Sequence, residues 1–230
     1  MKYIFKSSYI AVTPSTHQKI ISTLNDLEFQ TLIGPKDING IYKEPLKNAL
    51  TDEPDQIFYC DFDRILHWAM AYPNELKNTV ISHLYHDFLL IGRTSRAFKT
   101  HPETQTITEN IANHVASQIL GFKETRDIIS ACWRFTPRLA EKLLKLPAKN
   151  IYGFYCEWPL TAWRHAANPV YLEVEGLEWE TPDKYRREIK EKGYDRWIKE
   201  LQTSKEWKRR VNLLKDTIES ICTPYVWRTS

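Results

Sequence analysis

Short apolar or alternating runs, from YIFKSSYIAV at the start through EFQTLIG, QIFYC, DFLLIGR and RDIISACWRF to PVYLEVEGLEWE, are separated by segments whose apolar residues recur every three or four positions. This alternation constrains the fold more than any other feature, because a period of two and a period of 3.6 require different backbones. THQKIISTLNDL, with Ser15 or Thr16 as cap, YKEPLKNAL and RILHWAMA up to Pro73 have helical spacing. PETQTITENIANHVASQILGF carries Ile107, Ile111, Val115, Ile119 and Leu120 on one stripe and stops at Gly121. TPRLAEKLLKL has Thr136 as cap and Pro137 at the first helical position. Strand and helix in alternation predict an α/β fold with a mainly parallel, mixed sheet flanked by helices. The uninterrupted run DFLLIGR suits a strand covered on both faces.

A chain of 230 residues can bury a core without disulfides or metals to staple it. Its four cysteines, Cys60, Cys132, Cys156 and Cys222, are widely spaced and form no C-x-x-C pair, so they read as reduced thiols and predict a cytoplasmic protein. No stretch approaches the roughly 18 apolar residues of a membrane span, and the N-terminus lacks the pattern of a signal peptide. The formal charge of +3 argues against a dedicated nucleic-acid binder. Charge is unevenly spread, however: residues 183–216 hold twelve Lys/Arg against seven acids. A division follows into a domain over 1–182 and a basic amphipathic helical extension over 183–230. Trp197, Leu201, Trp207, Val211, Leu214, Ile218 and Ile221 form the extension's apolar stripe. That stripe favours packing on the domain over peripheral contact with an anionic membrane or contact with nucleic acid.

Directly behind QIFYC stand Asp61 and Asp63, with Arg64 and His67 beyond. In an extended backbone the two aspartates fall on the same side and can converge on one hard cation, Mg²⁺ or Mn²⁺, which keeps open positions for phosphate oxygens. Ligands of open α/β sheets bind beyond the carboxyl ends of strands, where this pair sits. The competing use is structural, with Asp61 capping the next helix and Asp63 a first-turn acid. Arg93 and Arg96 in GRTSRAF suit phosphate contacts or a surface pair, and Arg64 belongs with the donor-contacting candidates. His67, His101, Trp133 and Arg134 read as packing or capping residues. No G-x-S-x-G, G-x-G-x-x-G or phosphate-loop pattern occurs.

A strand, D-x-D and helix after an N-terminal β-turn-α unit resembles the GT-A fold of nucleotide-sugar glycosyltransferases. YCDFDRILHW, DFLLIGRTSRAFKTHP, TPRLAEKLL, CEWPL and EGLEWET together resemble an uncharacterised prokaryotic branch of such proteins, over roughly residues 3–185. The resemblance implies a metal-dependent transferase that uses a nucleotide-diphosphate sugar donor and an acceptor it does not identify. It implies metal ligation by Asp61 and Asp63, with Thr13, Pro14 and Ser15 beside the base and ribose. It also implies that Asn39, Gly40 and Lys43 close over the nucleotide, and that Glu157 is the catalytic base, with Glu175, Glu178 and Glu180 as alternatives. The first strand has TPSTHQ where the large inverting family carries P-x-Y/F-N-E. Rival readings are a nucleotidyltransferase on a related frame and a non-catalytic protein that binds nucleic acid or an anionic surface.

Overall fold

The computed structural model describes residues 4–147 and 153–222; the last eight residues of the expected extension lie outside them. The chain opens with β1 (Tyr9–Val12), α1 (Gln18–Asp26) and β2 (Gln30–Ile33), followed by a π-helical turn (Asn39–Lys43) that runs into α2 (Glu44–Leu50). β1 and β2 pair in parallel as a small sheet of their own, Tyr9 opposite Gln30 and Val12 opposite Ile33. Ile10, Val12, Ile21 and Leu24 form the core beneath it. The cap of α1 is His17, whose Nδ1 accepts the Lys19 N–H at 3.1 Å. Ser15 and Thr16 are instead turned back onto Thr13.

The second sheet holds β3 (Ile57–Cys60), β4 (Phe88–Arg93), β5 (Cys132–Phe135) and β6 (Pro169–Val174) in the order β3-β5-β4-β6. β5 is antiparallel to both neighbours and β4 is parallel to β6, so three strands share one direction. The protein is therefore α/β with two sheets, the larger one mixed, where the sequence pattern suggested a single sheet. A buried apolar run reads the same in either direction, so the pattern carried no information about β5's orientation or about a break between sheets. β4, the DFLLIGR strand, is buried along its whole length, as expected for a strand covered on both faces.

Alternate residues of β4 serve different cores. Phe88 and Leu90 join Trp133, Phe135 and Phe154 on one side, while Leu89 and Ile91 join Trp68, Leu76 and Val174 on the other. The second side is covered by α3 (Phe62–Ala71) and α4 (Pro73–Ile81). The first is covered by α6 (Glu103–Ile119), α7 (Pro137–Leu144) and α8 (Phe154–His165), with α5 (Ser95–Lys99) ahead of α6. A 3₁₀ turn (Thr181–Lys184) then leads to α9 (Arg186–Lys192), α10 (Tyr194–Leu201) and α11 (Ser204–Ile221).

Two helices differ from expectation. α6 buries Thr104, Gln105, Thr108, Ala112, Asn113, Ala116 and Ser117 and leaves Ile107 and Ile111 nearly half exposed. Its small, polar face admits α11 and supplies hydrogen bonds to the loop ahead of β5, where the Asn113 side-chain Oδ1 accepts the N–H groups of Ile128 and Ile129. The C-terminal stripe is broken across helices: Trp197 and Ile221 are buried, while Val211 faces solvent. α11 packs on α6 and α8, and Ile221 belongs to the main core. Among the described residues no helix is long and apolar enough to cross a membrane, and all four cysteines are free thiols.

Candidate functional site

β3 ends at Cys60 and α3 begins at Phe62, so Asp61 occupies the cap position and Asp63 the first turn. Asp61 makes no side-chain capping bond. Its carboxylate instead accepts the Tyr155 hydroxyl at 3.2 Å, from the start of α8. Burial pushes the Asp61 carboxyl up to about 6; the negative charges of Asp63 and Glu180 add to this, and Arg64 and the Tyr155 hydroxyl act against it. Asp63 accepts the Arg64 backbone N–H at 3.1 Å through Oδ1 and the Lys184 ammonium at 2.7 Å through Oδ2. The Arg64 guanidinium donates to the Ser130 carbonyl.

Two cavities meet at this pair. One, of about 680 Å³, lies between the β1–α2 unit and β3 and is lined by residues including Tyr9, Tyr42, Gln56, Phe58, Tyr59 and Lys184, with Asp61 and Asp63 at one end. The other, of about 390 Å³, holds the same aspartates together with Arg64, Tyr155, Trp179 and Glu180, and is closed by Arg210 and Leu214 of α11. Glu180 is placed there by the turn that follows β6, and that turn is tied to α3 by His67. The His67 ring lies 2.6 Å from Asp183 and 3.2 Å from Glu178.

The other residues singled out from sequence lie elsewhere. Thr13, Pro14 and Ser15 form a turn whose Thr13 and Ser15 hydroxyls meet at 2.9 Å, on the wall of neither cavity. Asn39 and Gly40 belong to the π-helical turn. A Cβ on Gly40 would stand 2.2 Å from the Pro35 carbonyl oxygen, so close backbone packing accounts for that glycine. Lys43 is buried and donates to the carbonyls of Leu144 (3.0 Å) and Leu146. Burial lowers its pKa, and the nearby Glu157 carboxylate acts in the opposite direction. Glu157 is itself buried and lines neither cavity. It lies two residues past Tyr155, which in a helix turns it to a different face.

Arg93 is buried and fully engaged. Its Nε and Nη2 bind both oxygens of Asp127 at 2.6 and 2.9 Å, Nη2 also reaches Glu109 at 2.7 Å, and Nη1 donates to His101 Nε2 at 3.2 Å. Accepting at Nε2 leaves His101 protonated at Nδ1, facing the Ala97 carbonyl at 3.3 Å. Burial, followed by the Arg93 charge, holds its pKa well below the ordinary value. Arg96 is committed to Glu175, Glu178 and the Tyr72 hydroxyl. The Arg134 guanidinium binds the carbonyls of Val80, Ser82 and His83 at the end of α4.

Of the expected set, then, Asp61, Asp63 and Arg64 share the smaller cavity with Glu180, one of the alternative bases, and the others lie apart from it. The residues that join them, Tyr155, Trp179, Lys184 and Arg210, carry no local motif. The one available hint was the density of ionisable and aromatic residues in GLEWETPDK. Among the described residues no cluster of three or more His, Cys, Asp or Glu is arranged to hold a metal. The chemistry of the aspartate pair still suits Mg²⁺ or Mn²⁺: two hard carboxylates line the same cavity, in which water or phosphate oxygens could complete a coordination shell. Compared with protein-family models, curated proteins and solved structures, the chain matches none.

Proposed function

We propose that this protein is a GT-A-like glycosyltransferase that moves a sugar from a nucleoside-diphosphate donor to an acceptor hydroxyl. The observation that carries the reading is the position of Asp61 and Asp63 at the junction of two cavities, beyond the carboxyl end of β3. Group transfer needs a donor and an acceptor on either side of one reacting centre. The larger, more aromatic cavity suits the nucleotide, whose base has faces to stack; the smaller, more polar one suits the acceptor.

Asp61 and Asp63 would hold Mg²⁺ or Mn²⁺, which would neutralise charge on the diphosphate. Arg64 stands beside them with its positive charge reinforced by Asp61, Glu180 and Glu109, whose influence outweighs burial and the opposing charge of Arg93. In transfer the acceptor oxygen bonds the anomeric carbon, the bond from that carbon to the diphosphate oxygen breaks with its electron pair, and the acceptor proton passes to a carboxylate. Glu180 shares the smaller cavity with the aspartates, which favours it over Glu157 as that base.

Thermal unfolding in the presence of UDP-, GDP- and CDP-sugars, each with and without Mn²⁺, tests the proposal. At least one donor is expected to raise the midpoint in a manner that requires the metal, and Asp63→Ala is expected to abolish that Mn²⁺-dependent rise. Indifference to every donor and to Mn²⁺ would overturn the assignment.

A further inference from the structure

Lys184 meets the aspartate pair through an ion pair that solvent reaches. Its ammonium sits 2.7 Å from Asp63 Oδ2, yet its side chain is 56% exposed and that of Asp63 41%. Arg64 is anchored to the Ser130 carbonyl, and Arg210, in the wall of the smaller cavity, to Gln105 and Glu206. Lys184 lines the larger cavity, and the backbone beneath it is fixed. Asp183, its neighbour, is held at 2.6 Å by His67 of α3 and at 2.8 Å by Arg186. A long side chain on a pinned turn can swing without disturbing the fold, and an exposed ion pair offers it little resistance.

We infer that Lys184 is a resident counter-cation of Asp63 that gives up this carboxylate when a divalent ion binds and then takes the diphosphate of the donor as its new partner. The inference rests on the transferase reading and adds a role for a residue outside the D-x-D sequence. Without nucleotide, the ammonium and the divalent ion compete for the same carboxylate oxygen. With nucleotide present they no longer compete, because the diphosphate supplies Lys184 with another anion at the mouth of the cavity it already lines. Lysine suits this task as a compact point charge on a flexible stem. Metal and nucleotide should therefore bind cooperatively.

The test is a calorimetric titration of Mn²⁺, and of UDP, GDP and CDP at saturating Mn²⁺, into the full-length wild type, Lys184→Met and Lys184→Arg, with circular dichroism to verify folding. Lys184→Met is expected to bind Mn²⁺ about threefold to fivefold more tightly without nucleotide, the range an exposed ion pair can hold back. The same variant should bind its preferred nucleoside diphosphate roughly tenfold more weakly, as for the loss of one charge-assisted hydrogen bond. Lys184→Arg should keep nucleotide affinity near that of the wild type. Metal and nucleotide binding that ignore Lys184 would remove the role inferred here and leave the transferase reading standing. A wild type that binds neither Mn²⁺ nor any of the three nucleotides would remove both.

Discussion

Asp61 is a carboxylate placed where it costs the fold something. Its pKa of about 6 in the folded protein, against 3.8 when unperturbed, means that the native state holds the proton more tightly than the unfolded chain does. Below about pH 4 both states are protonated and the residue is neutral in effect. As pH rises through 4 to 6 the unfolded chain ionises first and stability falls, and above 6 the penalty is constant. Asp61→Asn keeps an acceptor for the Tyr155 hydroxyl and removes the charge. It is expected to stabilise the protein by about 3 kcal/mol at pH 7 and by well under ~1 kcal/mol at pH 4, as read from urea unfolding at both values. The same variant should lose the Mn²⁺-dependent shift described above, so stability and ligand binding would move in opposite directions. That opposition is the usual mark of a group retained for function. The D-x-D was legible as the end of a strand, which is a local property, but the extended-strand parity expected of its two carboxylates does not hold, because Asp63 already lies in the first turn of α3. Glu180 was named only as an alternative base and Lys184 not at all: they reach the aspartates across more than a hundred residues, through a turn whose placement depends on His67 pairing with Asp183.

At the level of elements, polar side chains fasten the helices to the larger sheet as firmly as apolar ones do. Arg93 at the end of β4, Glu109 and Asn113 on α6, and Asp127 in the loop before β5 form one buried network. Asp127 keeps a pKa below the ordinary carboxylate value: burial pushes it up, but the Arg93 charge and the bonds from Arg93 and Asn113 prevail. Its contribution is therefore present at neutral pH and is lost as pH falls through that lowered value. Asp127→Ala would leave the buried Arg93 with Glu109 as its remaining carboxylate partner and would take away the acceptor of the Arg93 Nε and of Asn113; it is expected to cost roughly 3 kcal/mol, measured by chemical denaturation at pH 7. The sequence offered Arg93 as a phosphate ligand because an arginine just past a strand looks alike in both roles; only the partners distinguish them. α6 was found as a helix, and Val115, Ile119 and Leu120 of its expected stripe pack on the main core, but at its N-terminal half Ile107 and Ile111 face outward while Thr108 and Asn113 are buried. α8 escaped notice because it is buried almost all round and carries Pro159, so no amphipathic stripe marks it. A different junction is just as intolerant of change. The Trp68 indole donates to Glu75 at 2.8 Å and lies against Gly176, where a Cβ would fall 1.7 Å from the ring. Gly176→Ala should destabilise by about 3 kcal/mol or more through overpacking, and near-ultraviolet dichroism should report displacement of the indole.

For the whole molecule, the open question is how an extension rich in charge becomes part of one body. Composition divides the chain near residue 183, but α11 brings Ile221 into the main core and sets Arg210 and Leu214 into the wall of the smaller cavity. Arg210 crosses from α11 to α6, donating to Gln105 at 2.6 Å as well as to Glu206 at 2.9 Å on its own helix. Its charge is thus already partnered within the protein. If α11 is structural, truncating its buried end should be felt throughout the fold. Ile221→Ala is expected to cost about 2–4 kcal/mol, as for an aliphatic residue removed from a packed core, with one cooperative transition at a lower midpoint. For a chain of this size each kcal/mol moves the midpoint by about 2–4 °C, so differential scanning calorimetry would see a shift on the order of 10 °C. An autonomous extension would instead melt in a separate transition and leave the sheet domain's midpoint where it was. The single-transition result would mean that the cavity beside Asp61 and Asp63 exists only while the last helix is docked, so the stability of α11 and occupancy of that cavity should rise and fall together.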